Sequence, residues 1–408
     1  MMTVLHVTSY GELYGANRSL LDLVDGLRDH GVRSIVLVPC EGGLTATCQR
    51  HGIEYLVWPF ETWVNSPPRY DVLDLNGISS YRRLLRLAGW SLLNFRQRMS
   101  RGRGLSAKRL RNERQSRFLA RSFSRSTIDL VHTHSAVNPF GSLLARDLSL
   151  PHVWHLREFV DLHYRYQFDL GKGRALARIK QSSAVICISN AISNYYFGDK
   201  RNVSVVYNGV LRLARFQELL AHAGKGSKPQ PGVFAIVGLL HAAKQQSEAI
   251  KALSLVSKKH PSVRLLIAGD GSDESLLRSL AAELGVDKKV DFLGYVSNPF
   301  EVYKQASAVL MCSRYEAMGR VTAEAMAAWR PVIGFDQAGT AELIQHGFSG
   351  LLYRDGPEEL AKCMADLIEN PGLVLNISEN AWNIAVTRHT IEKYSNSVYQ
   401  VYRKVIEP

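Results

Sequence analysis

Residues 313–335 read SRYEAMGRVTAEAMAAWRPVIGF. Two glutamates, Glu316 and Glu324, stand eight positions apart with Gly319 between them. The run before them, AVLMCS, and the run that closes the stretch, PVIGF, are short, apolar and unalternated. The segment between is alanine-rich and favours helix. Strand, glycine turn, helix and strand together make the repeating unit of a parallel sheet covered on both faces. The two carboxylates then fall at the start of a helix. They read either as ordinary surface charge or as two hooks for one polar ligand.

The same alternation extends in both directions. Downstream come GLLY and two further helices. Upstream come FAIVG, a helix from about Lys244, RLLIAGDG, a helix to Leu284, and VDFLG. AHAGKGSKPQPG, residues 221–232, is a Gly/Pro/Lys-rich break without periodicity and reads as a linker. Before it lies another series: VLHVTS, a helix carrying Leu20, Leu21, Val24 and Leu27 and stopped by Gly31, then RSIVLVP, IDLVHTH, HVWHLRE, SAVICIS and VSVVYNG. The pattern predicts an α/β protein of two doubly wound, Rossmann-like domains facing each other across a cleft. They span residues 1–220 and 233–389, with a closing helix at 390–408. Ligands are expected where strand C-termini meet the cleft.

Composition narrows the function classes. The chain has 408 residues, enough for two or three domains, with 46% hydrophobic and 21% charged residues. No apolar run approaches the ~18 residues of a membrane span. The N-terminus carries no basic leader or small-residue cleavage site and reads as a first strand, a glycine loop and a first helix. The five cysteines show no C-x-x-C pairing, so buried free thiols in a reducing cytoplasm are expected.

The net charge of +13 is concentrated in one segment. Arg82–Arg125 holds thirteen arginines, one lysine and one acid, Glu113. Within it, Tyr81, Leu84, Leu85, Ala88, Leu92, Phe95 and Met99 make a helical apolar stripe. Arg82, Arg83, Arg86 and Arg96 flank the stripe, with Trp90 nearby. An amphipathic basic insertion at about 78–127 fits an anionic membrane surface or a lipid-linked acceptor. The alternatives are a solvated insertion packing on its own domain, or a nucleic-acid contact. No RNA-binding aromatic motif, zinc spacing or helix-turn-helix signature supports the last, so nucleic acid is not an expected partner. The location expected is cytoplasmic, peripheral on the inner face of the cell membrane.

Several strand ends carry candidate chemistry. Gly11 and Gly15 punctuate the first loop, where helix N-terminal amides can receive an anion. His132 and His134 share one strand face, with His134 at the strand end. Arg157 and Glu158 end the next strand. Lys244 follows Gly238 by six residues, at a helix start suited to a diphosphate. At Gly319 the amides of Met318, Gly319 and Arg320 can open toward a phosphate. Glu324, about one and a half turns on, can accept two hydrogen bonds from a vicinal diol.

EAMGRVTAE, AMAAWRPVIGF and GTAELIQHGFSGLLY closely resemble the retaining glycosyltransferases of family 4, which adopt the GT-B fold. YGANRSLLDL resembles the family's glycine loop, DLVHTHS its histidine strand, CISN and VYNGV later strands, and VGLLHAAKQQ its phosphate-binding element. The resemblance runs nearly the full length. It implies a metal-independent hexosyltransferase without cofactor. Such an enzyme moves sugar from a UDP-, GDP- or ADP-sugar to a glycan or lipid-linked acceptor, in bacterial cell-surface polysaccharide or glycolipid synthesis.

It also implies roles for individual residues. Glu316, His134 and Lys244 are catalytic, with Glu316 on the donor sugar, His134 facing that sugar and Lys244 on the diphosphate. Gly15, Gly319 and Arg320 flank the phosphates, Glu324 holds the ribose, and Tyr295 and Val296 line the base pocket. No metal ligand is implied, and the chain contains no D-x-D. The sequence departs from the family at Leu239, where an arginine is common, and Arg314 or Arg320 could substitute. It departs also at Gln245, Tyr14 and Asn17. A catalytically inactive nucleotide-sugar-binding protein and a nucleotide-sugar epimerase are the alternatives.

Overall fold

A computed structural model describes residues 1–65, 107–123, 127–198, 203–223 and 231–407. In chain order the elements begin β1 (Thr3–Val7), α1 (Gly15–Leu27), β2 (Arg33–Val38), α2 (Gly43–Arg50), β3 (Glu54–Val57), β4 (Val64–Asn65) and α3 (107–122). Then come β5 (Leu130–His134), α4 (Phe140–Leu148), β6 (His152–Leu156), β7 (Gln167–Phe168), α5 (Lys172–Ile179), β8 (Ala184–Cys187), α6 (Asn190–Phe197), β9 (Val203–Val205) and α7 (Leu213–Ala223). The next are β10 (Val233–Val237), α8 (Gln246–Val256), β11 (Arg264–Ala268), α9 (Glu274–Glu283), β12 (Val290–Gly294), α10 (Phe300–Gln305) and β13 (Ala308–Met311). The chain closes with α11 (Arg320–Ala327), β14 (Val332–Phe335), α12 (Ala338–Leu343), β15 (Leu351–Tyr353), α13 (Gly356–Glu369), α14 (Pro371–Arg388) and α15 (Ile391–Ile406).

The chain makes two compact units. One comprises Met1–Glu12, Ser34–Trp154 and Val160–Ser183; the other comprises Leu13–Arg33, His155–Phe159 and Ala184–Pro408. In the first, strands lie in the order β3-β2-β1-β5-β6, with β1 and β5 parallel. Every residue of β1 and of β5 is buried, as expected of central strands covered on both faces. Leu5, Val7, Leu37, Val131, Phe140 and Leu144 form the core on one face.

The second unit contains α1, the parallel pair β8–β9, and a six-stranded parallel sheet ordered β12-β11-β10-β13-β14-β15. Phe234, Leu253, Leu265, Leu310, Ile333 and Tyr353 fill its core. The strand order reverses between β10 and β13, and such a switch point opens a crevice beyond the strand C-termini. Helix α15 lies along α1, so closely that a Cβ on Gly26 would come within 2.6 Å of Ser395 Oγ. Thr390 caps α15 by accepting from the Lys393 amide.

Some expectations need correction. The helix read from about Lys244 begins at Gln246, after a 3-10 turn Ala242–Lys244 and a left-handed Gln245 at φ 56°. The strands β3, β4 and β7 went unread. Each is four residues or shorter, and β3 has no buried side chain to set a period. Cys40 is exposed; Cys48, Cys187, Cys312 and Cys363 are buried free thiols. Arg82, Arg83, Arg86, Trp90, Phe95 and Arg96 lie outside the described residues, as do 224–230 of the predicted linker. Among the described residues no helix is long and apolar enough to cross a membrane.

Candidate functional site

Two loops leave the C-terminal ends of β10 and β13 at the switch point. The first runs through Gly238 to Lys244; the second is SRYEAMG. They meet where Lys244 Nζ lies 2.7 Å from Glu316 Oε2, with side chains 21% and 14% exposed. The pair is shielded enough to be ordered and open enough to meet a ligand. Gly319 stands at φ +83°, a conformation glycine adopts without strain, and it is the N-cap of α11. The loop is braced from below by α12. The Gly339 amide donates to the Glu316 carbonyl at 2.8 Å. A Cβ on Gly339 would fall 2.3 Å from the Ala317 carbonyl oxygen, so the GTAEL glycine is needed for close approach.

Glu324 is 4% exposed and fixed on both oxygens. Oε1 accepts from Arg320 Nε at 2.6 Å, an i,i+4 pair, and Oε2 accepts from the Tyr303 hydroxyl at 2.9 Å. Arg320 also pairs with Asp22 of α1, donates to Ser19 Oγ at 3.3 Å, and reaches the Val210 carbonyl at 3.4 Å. Burial opposes the charge on Arg320, but Asp22 and Glu324 outweigh it and hold the guanidinium protonated. Burial, reinforced by the Glu324 charge, drives the Tyr303 hydroxyl well above its usual range, so it remains a donor. Each Glu324 oxygen keeps further acceptor capacity in a fixed orientation.

At the other end of this group, Tyr295 is 56% exposed. Its hydroxyl accepts from Arg18 Nη2 at 3.1 Å, and the Ser297 carbonyl accepts from the same guanidinium at 3.4 Å. Val296 packs against the apolar cluster that includes Val233 and Val302. Gly15 is the first residue of α1, whose N-cap Tyr14 makes no side-chain capping bond. Arg314 stands apart, its guanidinium 5.1 Å above the Phe335 ring.

His134 belongs to the first unit and is 1% exposed. Its Nε2 lies 3.1 Å from His6 Nδ1, and His6 Nε2 lies 3.2 Å from Ser34 Oγ. The His132 and His134 rings are 4.0 Å apart, and one nitrogen from each of His6, His132 and His134 falls within 4.8 Å of the others. These three imidazoles are the only group among the described residues with the composition of a transition-metal site. Arg157, buried in the second unit, donates to Asn208 Oδ1 at 2.9 Å and to the Tyr394 hydroxyl at 2.8 Å. Its neighbour Glu158 accepts from the Tyr196 hydroxyl through its carbonyl.

The structure therefore gathers Lys244 with Glu316, and Arg320 with Glu324. Sequence reading missed Asp22, Tyr303 and Glu342. Glu342 Oε2 accepts from the Asn190 amide at 2.9 Å and the Tyr207 hydroxyl at 2.7 Å, and Oε1 accepts from the Ala191 amide. The signal for Asp22 was an acid set between Leu21 and the buried Leu23 of an apolar helix face. For Tyr303 there was none.

Comparisons with known proteins point to glycosyltransferases. A model of the glycosyl transferases group 1 matches residues 220–383, and one of Glycosyltransferase Family 4 matches residues 14–210. The uncharacterised glycosyltransferase MJ1607 of Methanocaldococcus jannaschii is 26% identical over 297 residues, covering 68% of this chain and 76% of its own. The N-acetyl-alpha-D-glucosaminyl L-malate synthase of Bacillus anthracis is 24% identical over 300 residues, covering 71% and 78%. HepE of Anabaena, crystallised with UDP and with UDP-glucose, superposes with a TM-score of 0.74 at 20% identity, covering 99% of this chain and 100% of that one.

Proposed function

Because the chain belongs to the family 4 glycosyltransferases of GT-B fold, we propose that it moves a hexose-type sugar from a nucleoside diphosphate sugar to an acceptor hydroxyl, with retention of anomeric configuration. The observation that carries this is the Lys244–Glu316 contact at the switch point, with Gly319 and Glu324 following on one turn and helix. Glu316 meets the hydroxyls of the transferred sugar. Lys244 and the amides at Gly319 hold the diphosphate, and Glu324 holds the ribose diol. The acceptor oxygen forms its bond to the anomeric carbon on the face from which the phosphate departs. The anomeric carbon–oxygen bond breaks, its electron pair stays with the phosphate, and the phosphate oxygen takes the acceptor proton. The protein's work is then to stabilise charge on the leaving diphosphate with fixed donors. The UDP complexes of HepE favour a uridine donor.

The acceptor is a glycan or a lipid-linked sugar, in cell-surface polysaccharide or glycolipid synthesis, met at an anionic membrane. The charge of the Arg82–Arg125 segment supports this. So does α3, which exposes Leu110 and Phe118 at 53% and 62% beside the exposed Arg114, Arg117 and Arg121. Among the described residues no ion pair joins those three arginines, whereas Arg109 pairs with Glu113 and Arg111 with Glu61. A thermal-shift panel of UDP-, GDP- and ADP-sugars tests the donor. A ligand at ~100 times its dissociation constant adds about 2.7 kcal/mol of stability. Stabilisation by one base class is expected, and none by any of the three would overturn the reading.

A further inference from the structure

Three cations of the second unit face carboxylates. Lys244 faces Glu316; Arg320 faces Asp22 and Glu324; Arg212 faces Asp25 and Asp29. Arg18 is different. Its acceptors are the neutral oxygens of Tyr295, Ser297 and Leu13, the last at 3.5 Å, and no ion pair joins it among the described residues. It is partly buried, and it lies in the first turn of α1, which holds no acid. A cation at the positive end of a helix is placed against the helix dipole. Both features are unfavourable in isolation, and both are relieved by an anion.

The surroundings indicate which anion. Arg18 bridges from the residue run that begins at Gly15 to the loop after β12, at Tyr295 and Ser297. Ser19, the next residue, touches Arg320, which holds the ribose hook Glu324. The Arg18 charge also acts on the Tyr303 hydroxyl that bonds Glu324. Leu239 leaves one phosphate cation unaccounted for. Of the two substitutes, Arg314 rests on Phe335, and Arg320 is bound by two carboxylates.

We infer that Arg18 is the second cation for the donor diphosphate, reaching it from α1 while tethered to the base loop through Tyr295 and Ser297. This rests on the donor reading given above. Binding of a pyrophosphate would add charged acceptors to the neutral ones that Arg18 already holds in the base loop.

The test compares UDP, GDP and ADP with their nucleosides by isothermal titration, on wild type, Arg18→Met and Arg18→Lys. A hydrogen-bonded charge pair is worth enough for a ten- to hundredfold change. Arg18→Met should weaken the preferred diphosphate at least ~10-fold, leave its nucleoside within about twofold, and flatten the salt dependence of diphosphate binding. Arg18→Lys should recover part of the loss. An equal loss for diphosphate and nucleoside would reduce Arg18 to a loop tether and overturn the inference, as would no loss at all. A wild type that binds none of the three diphosphates would overturn the donor reading, and this inference with it.

Discussion

Replacing Arg320 by methionine tests how Glu324, the proposed ribose ligand, is held. The side chain is 17% exposed and lies between Asp22 at 22% and Glu324 at 6%. Methionine keeps most of the aliphatic volume but leaves two shielded carboxylates facing each other. Removing one partner of a buried ion pair costs about 3–5 kcal/mol. Water reaching Asp22 moves the expectation to the lower end, about 3 kcal/mol, or roughly 150-fold in the folding equilibrium. Urea unfolding is the assay, followed by fluorescence of Trp329 and Trp382 in the same unit. Adding Asp22→Asn to Arg320→Met should return about 1 kcal/mol, because one of the stranded charges is gone. If Arg320→Met lies within about 0.5 kcal/mol of wild type, or if the double variant is weaker than the single one, the network does not hold Glu324 as described.

Gly339→Ala should displace the EAMG loop, because the new methyl would lie 2.3 Å from the Ala317 carbonyl oxygen. A loss of about 1–3 kcal/mol in stability is expected, with kcat/KM falling more than stability alone explains; steady-state kinetics on the folded fraction reads this. Acid should destabilise the protein through His152 and His389, which burial lowers to about 3 and about 4 from 6.5. Because the unfolded chain binds protons first, their contribution is complete above pH 6.5 and is lost as pH falls toward those values. Each group costs about 1.4 kcal/mol per pH unit in that window. Urea midpoints at pH 7.5 and 5.5 check the sign, and an unchanged midpoint would contradict it.

The parallel strands were legible because burial on both faces turns them into unbroken apolar runs, as in VFAIV and AVLM. Where burial is absent, as in β3, the sequence carries no such mark. Arg320 and Glu324 stand four positions apart, a spacing that sets them on one helix face, where they pair. Alternation likewise placed His132 and His134 on one side of β5. Their neighbour His6 emerges only from the β1–β5 register, which pairs His6 with His132. Asp22 and Tyr303 reach Glu324 from elements far away in sequence, so their part in the site depends on tertiary packing. Lys244 could be assigned to a phosphate from its loop, but its contact with Glu316 is a product of the strand order.

The most direct test of the account is donor turnover by Lys244→Ala beside wild type. Release of nucleoside diphosphate is followed with the donor that stabilises the protein best. If Lys244 stabilises the leaving diphosphate, kcat/KM should fall about 10²–10³-fold, while the variant unfolds near the wild-type midpoint. A Lys244→Ala protein that turns over the donor at the wild-type rate would contradict the account.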